Sequence, residues 1–133
     1  MRPDVEALYQ LIGEELKSIP QGAFQTVVLY AEVEEGVISN SVFYARENAD
    51  NLVYRPGSDK LDILVYDLWE KWQSVPGENA WRALLYVING DKFRIDVTYA
   101  DRFDESLDTI DRRSRAIEPI FGKRKIDYPK PTH

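Results

Sequence analysis

The 133-residue sequence has no cysteine, and its single histidine, His133, is the last residue. Without cysteine there is no disulfide, no thiol nucleophile and no zinc–thiolate site. Without an internal histidine, His-ligated metals and His general bases drop out, and no serine has a histidine to activate it. The sequence has no Gly-x-Ser-x-Gly elbow, no Gly-x-Gly-x-x-Gly and no Gly-Lys-Ser/Thr phosphate loop. No apolar run approaches the roughly 20 residues that cross a bilayer. The opening MRPDVEALYQ carries acidic residues where a signal peptide needs an apolar segment. These absences lead us to expect a cytoplasmic protein, off the membrane, with no cofactor, no metal and no catalytic residue, and so not an enzyme.

The composition, 44% hydrophobic and 30% charged, is that of a globular chain and not of a disordered one. A chain of this length buries roughly two thirds of its unfolded surface, so residues 1–133 are expected to form one domain without metal or disulfide staples. The net charge of −6 opposes binding to a phosphate backbone, whose affinity comes from Lys and Arg. From Arg112 onward seven basic side chains face only two acidic ones. This basic end lacks a companion nucleic-acid motif, so no nucleic-acid partner is expected.

Periodicity organises the chain. Val5, Leu8, Ile12 and Leu16, widened by Tyr9 and Leu11, form the stripe of an amphipathic helix that begins at Pro3 and ends at the IPQG stretch. Two β-runs follow. The first places Val27, Leu29, Ala31 and Val33 on one face and Thr26, Val28, Tyr30 and Glu32 on the other. Glu34-Glu35-Gly36 reads as a hairpin loop before Val37 to Arg46. A turn over Asn48 to Asn51 leads to a short run, Leu52 to Arg55, closed by Pro56-Gly57. Ser58 is a good N-cap for a second helix carrying Leu61, Leu64, Val65, Leu68, Trp69 and Trp72. After Pro76-Gly77, strands Trp81 to Ile88 and Lys92 to Tyr99 are joined by Asn89-Gly90, a strong hairpin signal. In the last strand Phe93, Ile95, Val97 and Tyr99 alternate with Arg94, Asp96 and Thr98, which predicts one buried and one wet face. A final helix near Asp104 has the stripe Leu107, Ile110, Ile117 and Phe121; Pro119 should end or kink it and Gly122 stop it. The tail KIDYPKPTH is too rich in proline for regular structure. The expected fold is α+β, an antiparallel sheet of about five strands covered by helices, in the order α-β-β-β-α-β-β-α.

The densest charge lies between Phe93 and Lys125. Six carboxylates (Asp96, Asp101, Asp104, Glu105, Asp108 and Asp111) come first, and basic residues follow. Helix logic accounts for most of this pattern. Asp104 is the N-cap candidate, Glu105 opens the helix, and Asp108–Arg112 and Asp111–Arg115 are i, i+4 pairs, with about 0.3–1 kcal/mol from each charge on the dipole. An EF-hand does not fit, because in a loop counted from Asp101 as position 1 the third position is Phe103, and no glycine follows in time. Asp96 and Asp101 precede the helix and are not explained by capping. Of the aromatics, Trp69, Trp72 and Trp81 fit the core, whereas Tyr30, Tyr44, Tyr54 and Tyr86 remain candidates for an exposed binding surface.

Together, the N-terminal helix, SVFYARENADNLVYRPG, LDILVYDLWEKWQ, WRALLYVINGDKFRIDVTY and DRRSRAIEPIFG resemble the YezG-like immunity (antitoxin) family of small bacterial proteins. The resemblance covers nearly the whole chain. It implies an α+β protein that binds and neutralises a cognate polymorphic toxin domain, often a nuclease. The expected contact surface is Asp96, Tyr99, Asp101, Asp104, Glu105 and Asp108. The alternatives are a small metal-dependent hydrolase using Asp96, Asp101 and Asp104, and a ligand-binding or oligomerising domain, which leaves room for a homo-oligomer.

Overall fold

The computed structural model describes residues 3–20, 22–34, 36–46, 50–73 and 81–127. The Pro76-Gly77 breaker, Glu35 of the first hairpin loop, Gln21 of IPQG, Asn48 of the second turn and the tail beyond Asp127 lie outside them. Helix α1 (Pro3–Ser18) is followed by strands β1 (Phe24–Glu34), β2 (Val37–Arg46) and β3 (Leu52–Pro56), then helix α2 (Asp59–Gln73). Strands β4 (Trp81–Asn89) and β5 (Lys92–Tyr99), a 3₁₀ turn (Ala100–Arg102), helix α3 (Thr109–Phe121) and a two-residue strand β6 (Ile126–Asp127) complete the chain. This is the expected α+β order, with β5, β4, β1, β2 and β3 forming an antiparallel sheet. The tail departs from expectation: Ile126 and Asp127 pair in parallel with Leu52 and Val53, adding a short sixth strand beside β3. No helix among the described residues is long and apolar enough to cross a membrane.

Strand β1 lies at the centre of the sheet, and its alternation directs side chains into two separate cores. Val27, Leu29, Ala31 and Val33 face α1 and α2, where Ile12, Leu16, Leu61, Val65 and Leu68 close over them. Each fully enclosed Leu or Ile contributes about 1.5–3 kcal/mol through burial. Val28, on the other face, joins Phe43, Leu52 and Val87 beneath Ile117 and Phe121 of α3. Both faces of the central strands are therefore covered, which alters the expected fate of the tyrosines. Tyr30, Tyr44 and Tyr86 are buried and Tyr54 is half-buried, so none of them forms an exposed binding surface. Trp69 and Trp81 are in the core as expected, joined by a 2.8 Å hydrogen bond from Trp69 Nε1 to the Trp81 carbonyl, while Trp72 is half-buried.

Local chemistry fixes the junctions. Ser58 Oγ accepts from Leu61 N at 3.1 Å and caps α2 as expected. Gly57 passes so close to β2 that a Cβ there would lie 2.5 Å from the Asn40 Cβ. The β4–β5 turn is one residue later than expected: Asn89 pairs with Lys92, and Gly90-Asp91 make the turn, with Gly90 at φ 64°. In α1 the stripe is narrower than expected, since Leu11 is 43% exposed. Helix α3 runs through Pro119 to Phe121 and stops at Gly122, whose N–H donates to the Glu118 carbonyl. Its buried positions are Arg113, Ile117 and Phe121, whereas Ile110 is exposed and Leu107 precedes the helix.

Candidate functional site

The acidic segment forms a loop between β5 and α3, and it is held firmly. Phe103 anchors it. The guanidinium groups of Arg82 and Arg112 lie 4.3 and 4.4 Å from the Phe103 ring centroid, a double cation–π contact. Arg82 also reaches Glu105 at 3.1 Å and Glu34 at 3.5 Å. Arg112 donates to the carbonyl oxygens of Asp104 and Leu107, so one side chain gathers both ends of the loop.

Beneath the loop, Arg112 meets Glu32 of β1 through a two-pronged contact, Nε to Oε2 at 2.6 Å and Nη2 to Oε1 at 3.0 Å. Tyr30 Oη and Thr109 Oγ1 also donate to this carboxylate, at 2.7 and 2.9 Å. Burial pushes the Glu32 carboxyl up, but the hydrogen bonds from Arg112, Tyr30 and Thr109 and the Arg112 charge outweigh it, so its pKa is lowered. Burial is also the main reason the Tyr30 phenol is pushed far up, and the Glu32 carboxylate adds to it. A paired carboxylate with four donors is a structural anchor. It presents no free lone pair to a substrate.

The structure separates the six expected contact residues. Asp108, not Asp104, is the N-cap of α3, because its side chain accepts from Asp111 N at 2.8 Å. Asp104 instead holds the preceding turn, accepting from Ser106 N at 3.0 Å and Ser106 Oγ at 2.5 Å, and those bonds lower its pKa. The expected i, i+4 pairs give way: Arg112 binds Glu32, and no ion pair joins Asp111 to Arg115 among the described residues. Glu105 is exposed and paired with Arg82. Asp96 is accounted for by Arg94, 3.0 Å away along the same strand face, so it is not surplus. Asp101 is exposed and has no hydrogen bond or ion pair among the described residues. Tyr99 is half-buried against the α1–α2 core, opposite Trp81 in the ladder, and does not join the carboxylates.

What remains is an exposed ridge of Asp101, Asp104, Glu105 and Asp108 on a braced loop. Among the described residues no three His, Asp or Glu side chains come together to hold a metal, so the expected hydrolase triad of Asp96, Asp101 and Asp104 is not assembled. Residues that sequence reasoning missed include Glu32, Phe103 and Arg82, which brace the ridge. Arg113 was also missed: it is buried, bonded to Ser41 Oγ at 3.1 Å and stacked 4.9 Å from the Tyr54 ring. No protein-family model matches the chain, and a search of the curated proteins returns no match.

Proposed function

We propose that this protein is an immunity (antitoxin) protein of the YezG-like kind, which binds and neutralises a basic toxin domain, a nuclease by class, in the cytoplasm. One observation carries this reading: the exposed carboxylates of Asp101, Asp104, Glu105 and Asp108 stand on a loop braced by Phe103, Arg82 and Arg112, the last anchored on Glu32. A loop already braced by its own contacts has less conformational freedom to lose on binding, and complementary charge speeds encounter with a basic cleft. A nuclease cleft is basic because it must hold phosphates. The net charge of −6 acts in the same direction at longer range. The resemblance supplies the toxin as the partner, and the ridge supplies a surface suited to it.

Co-expression with toxin domains encoded beside this gene tests the reading. Survival of cells that die when the toxin is expressed alone is the expected result. Undiminished killing by every neighbouring candidate would overturn it.

A further inference from the structure

The two edges of the sheet differ. Strand β3 carries β6 on its outer side, whereas β5 has β4 on one side and no strand on the other among the described residues. The Gly90-Asp91 turn is closed by Asn89 opposite Lys92. A two-residue turn makes that closing pair a hydrogen-bonded one, and alternation then turns the backbone groups of Phe93, Ile95 and Val97 outward. Beside these three residues runs a groove of ≈ 620 Å³ whose opposite wall includes Tyr9 and Trp72. Phe93 is 61% exposed, contrary to the buried place its alternation suggested. On the other face of the strand Arg94 and Asp96 stand exposed, 3.0 Å apart.

We propose that β5 pairs with β5 of a second copy of this chain, antiparallel about a two-fold axis at Ile95. Charge selects the register. An axis at Arg94 would set that arginine against itself, and an axis at Asp96 would do the same to the aspartate; like charges directly opposite are destabilising. With the axis at Ile95, Arg94 stands across from Asp96 of the second copy, and Phe93 across from Val97, each contact occurring twice. The exposed Phe93 ring then lies beside the groove of the other copy. The same patch serves both subunits, as a closed two-fold interface requires. Charges on an edge strand also serve to prevent pairing. Here a cation and an anion flank an apolar centre, and that order is self-complementary rather than repulsive.

Sedimentation velocity of the full chain over a concentration series tests the proposal. The mass is expected to rise toward that of two chains. Arg94→Asp and Asp96→Arg should each raise the dissociation constant by about tenfold or more, because the axis counts every substitution twice. Mixing these two variants should restore a dimer, since one chain then brings two acidic and the other two basic side chains to the pair. An ion pair acting only within one chain could not produce that rescue. Phe93→Lys should give a monomer with an unchanged far-ultraviolet circular dichroism spectrum. A wild-type chain that is monomeric at every concentration would overturn the proposal. A dimer whose mass ignores both charge reversals and Phe93→Lys would overturn it equally.

Discussion

Glu32 and Arg112, 80 positions apart in the chain, are joined by a two-pronged ion pair whose side chains are only 11% and 15% exposed. This contact ties the central strand to α3 and to the acidic loop. Removing one partner leaves a desolvated charge unpaired, at a cost of about 3–5 kcal/mol. Arg112→Met should therefore lower stability by about that amount in urea unfolding, and the Glu32→Leu/Arg112→Met double variant should recover part of it, the rest being the lost Arg112 contacts to the loop and the orphaned Tyr30 and Thr109 hydroxyls. Equal losses in the single and double variants would mean that the pair is not the source.

The same carboxylate gives the stability an acid limb. The Glu32 pKa in the folded protein lies below its ordinary 4.5, so its contribution is complete above that value. It is lost as pH falls through the lower, folded-state pKa. The melting-temperature gap between wild type and Glu32→Gln should thus be constant near neutrality and shrink progressively below about pH 4.5. A gap that is unchanged in acid would contradict the assignment.

Tyr86 and Gly13 are mutually adjusted. The Tyr86 hydroxyl donates to the Tyr9 carbonyl at 2.8 Å, and burial, helped by Tyr9, pushes its pKa up to about 12. A Cβ on Gly13 would fall 2.6 Å from that hydroxyl but 3.4 Å from the ring carbon bearing it. Gly13→Ala alone should cost about 1–3 kcal/mol through overpacking. In a Tyr86→Phe background the clash disappears, and Ala should instead gain about 0.5–1 kcal/mol over Gly from helix propensity. Thermal or urea melts of the four proteins close this double-mutant cycle.

Two aspartates four residues apart separate capping from turn formation. Asp108→Ala removes the α3 cap and should cost about 0.5–2 kcal/mol. Asp104→Ala should cost less, since its bonds to Ser106 lie in an exposed turn. Asp108→Asn, which keeps a capping oxygen, should restore most of the loss. If the order of the two alanine variants is reversed in melting experiments, the helix starts earlier than Thr109.

For partner binding, Asp101 is the most informative charge, because no fold contact among the described residues uses it. Asp101→Asn with Asp104→Asn should slow association with a basic toxin domain at low salt, and the difference should fade as salt screens the charges. Stopped-flow rates at two ionic strengths, measured beside melts, check this. Rates equal to wild type at low salt would move the contact off the ridge.

Much of the fold is legible in the sequence because its elements carry strong local periods. Both long helices, the hairpins and the Ser58 cap need only a few neighbouring residues to announce them. Alternation alone does not show that both faces of the central strands are covered: α1 and α2 close over Tyr44 and Tyr86, while α3 covers the face that holds Tyr54, Tyr30 and Glu32. Arg113 escaped notice because an arginine is counted as polar, although its long stem and flat head pack well against Tyr54 and Phe43. The site was less legible still. Nothing near Glu32 in sequence points to Arg112, and the choice between Asp104 and Asp108 as cap is made by a loop folded around Phe103. Strand β6 is too short to carry any period.

Those two residues of β6 have a consequence for growth. Stacked sheets polymerise when each added unit offers a fresh edge to the next. Among the described residues β6 covers Leu52 and Val53 of β3, and that strand ends at Pro56, which has no N–H to donate. On the β5 side, two chains that pair as proposed use up each other's free edge. Growth through the β5 edge therefore closes at two chains, because neither subunit of such a pair keeps that edge to offer a third.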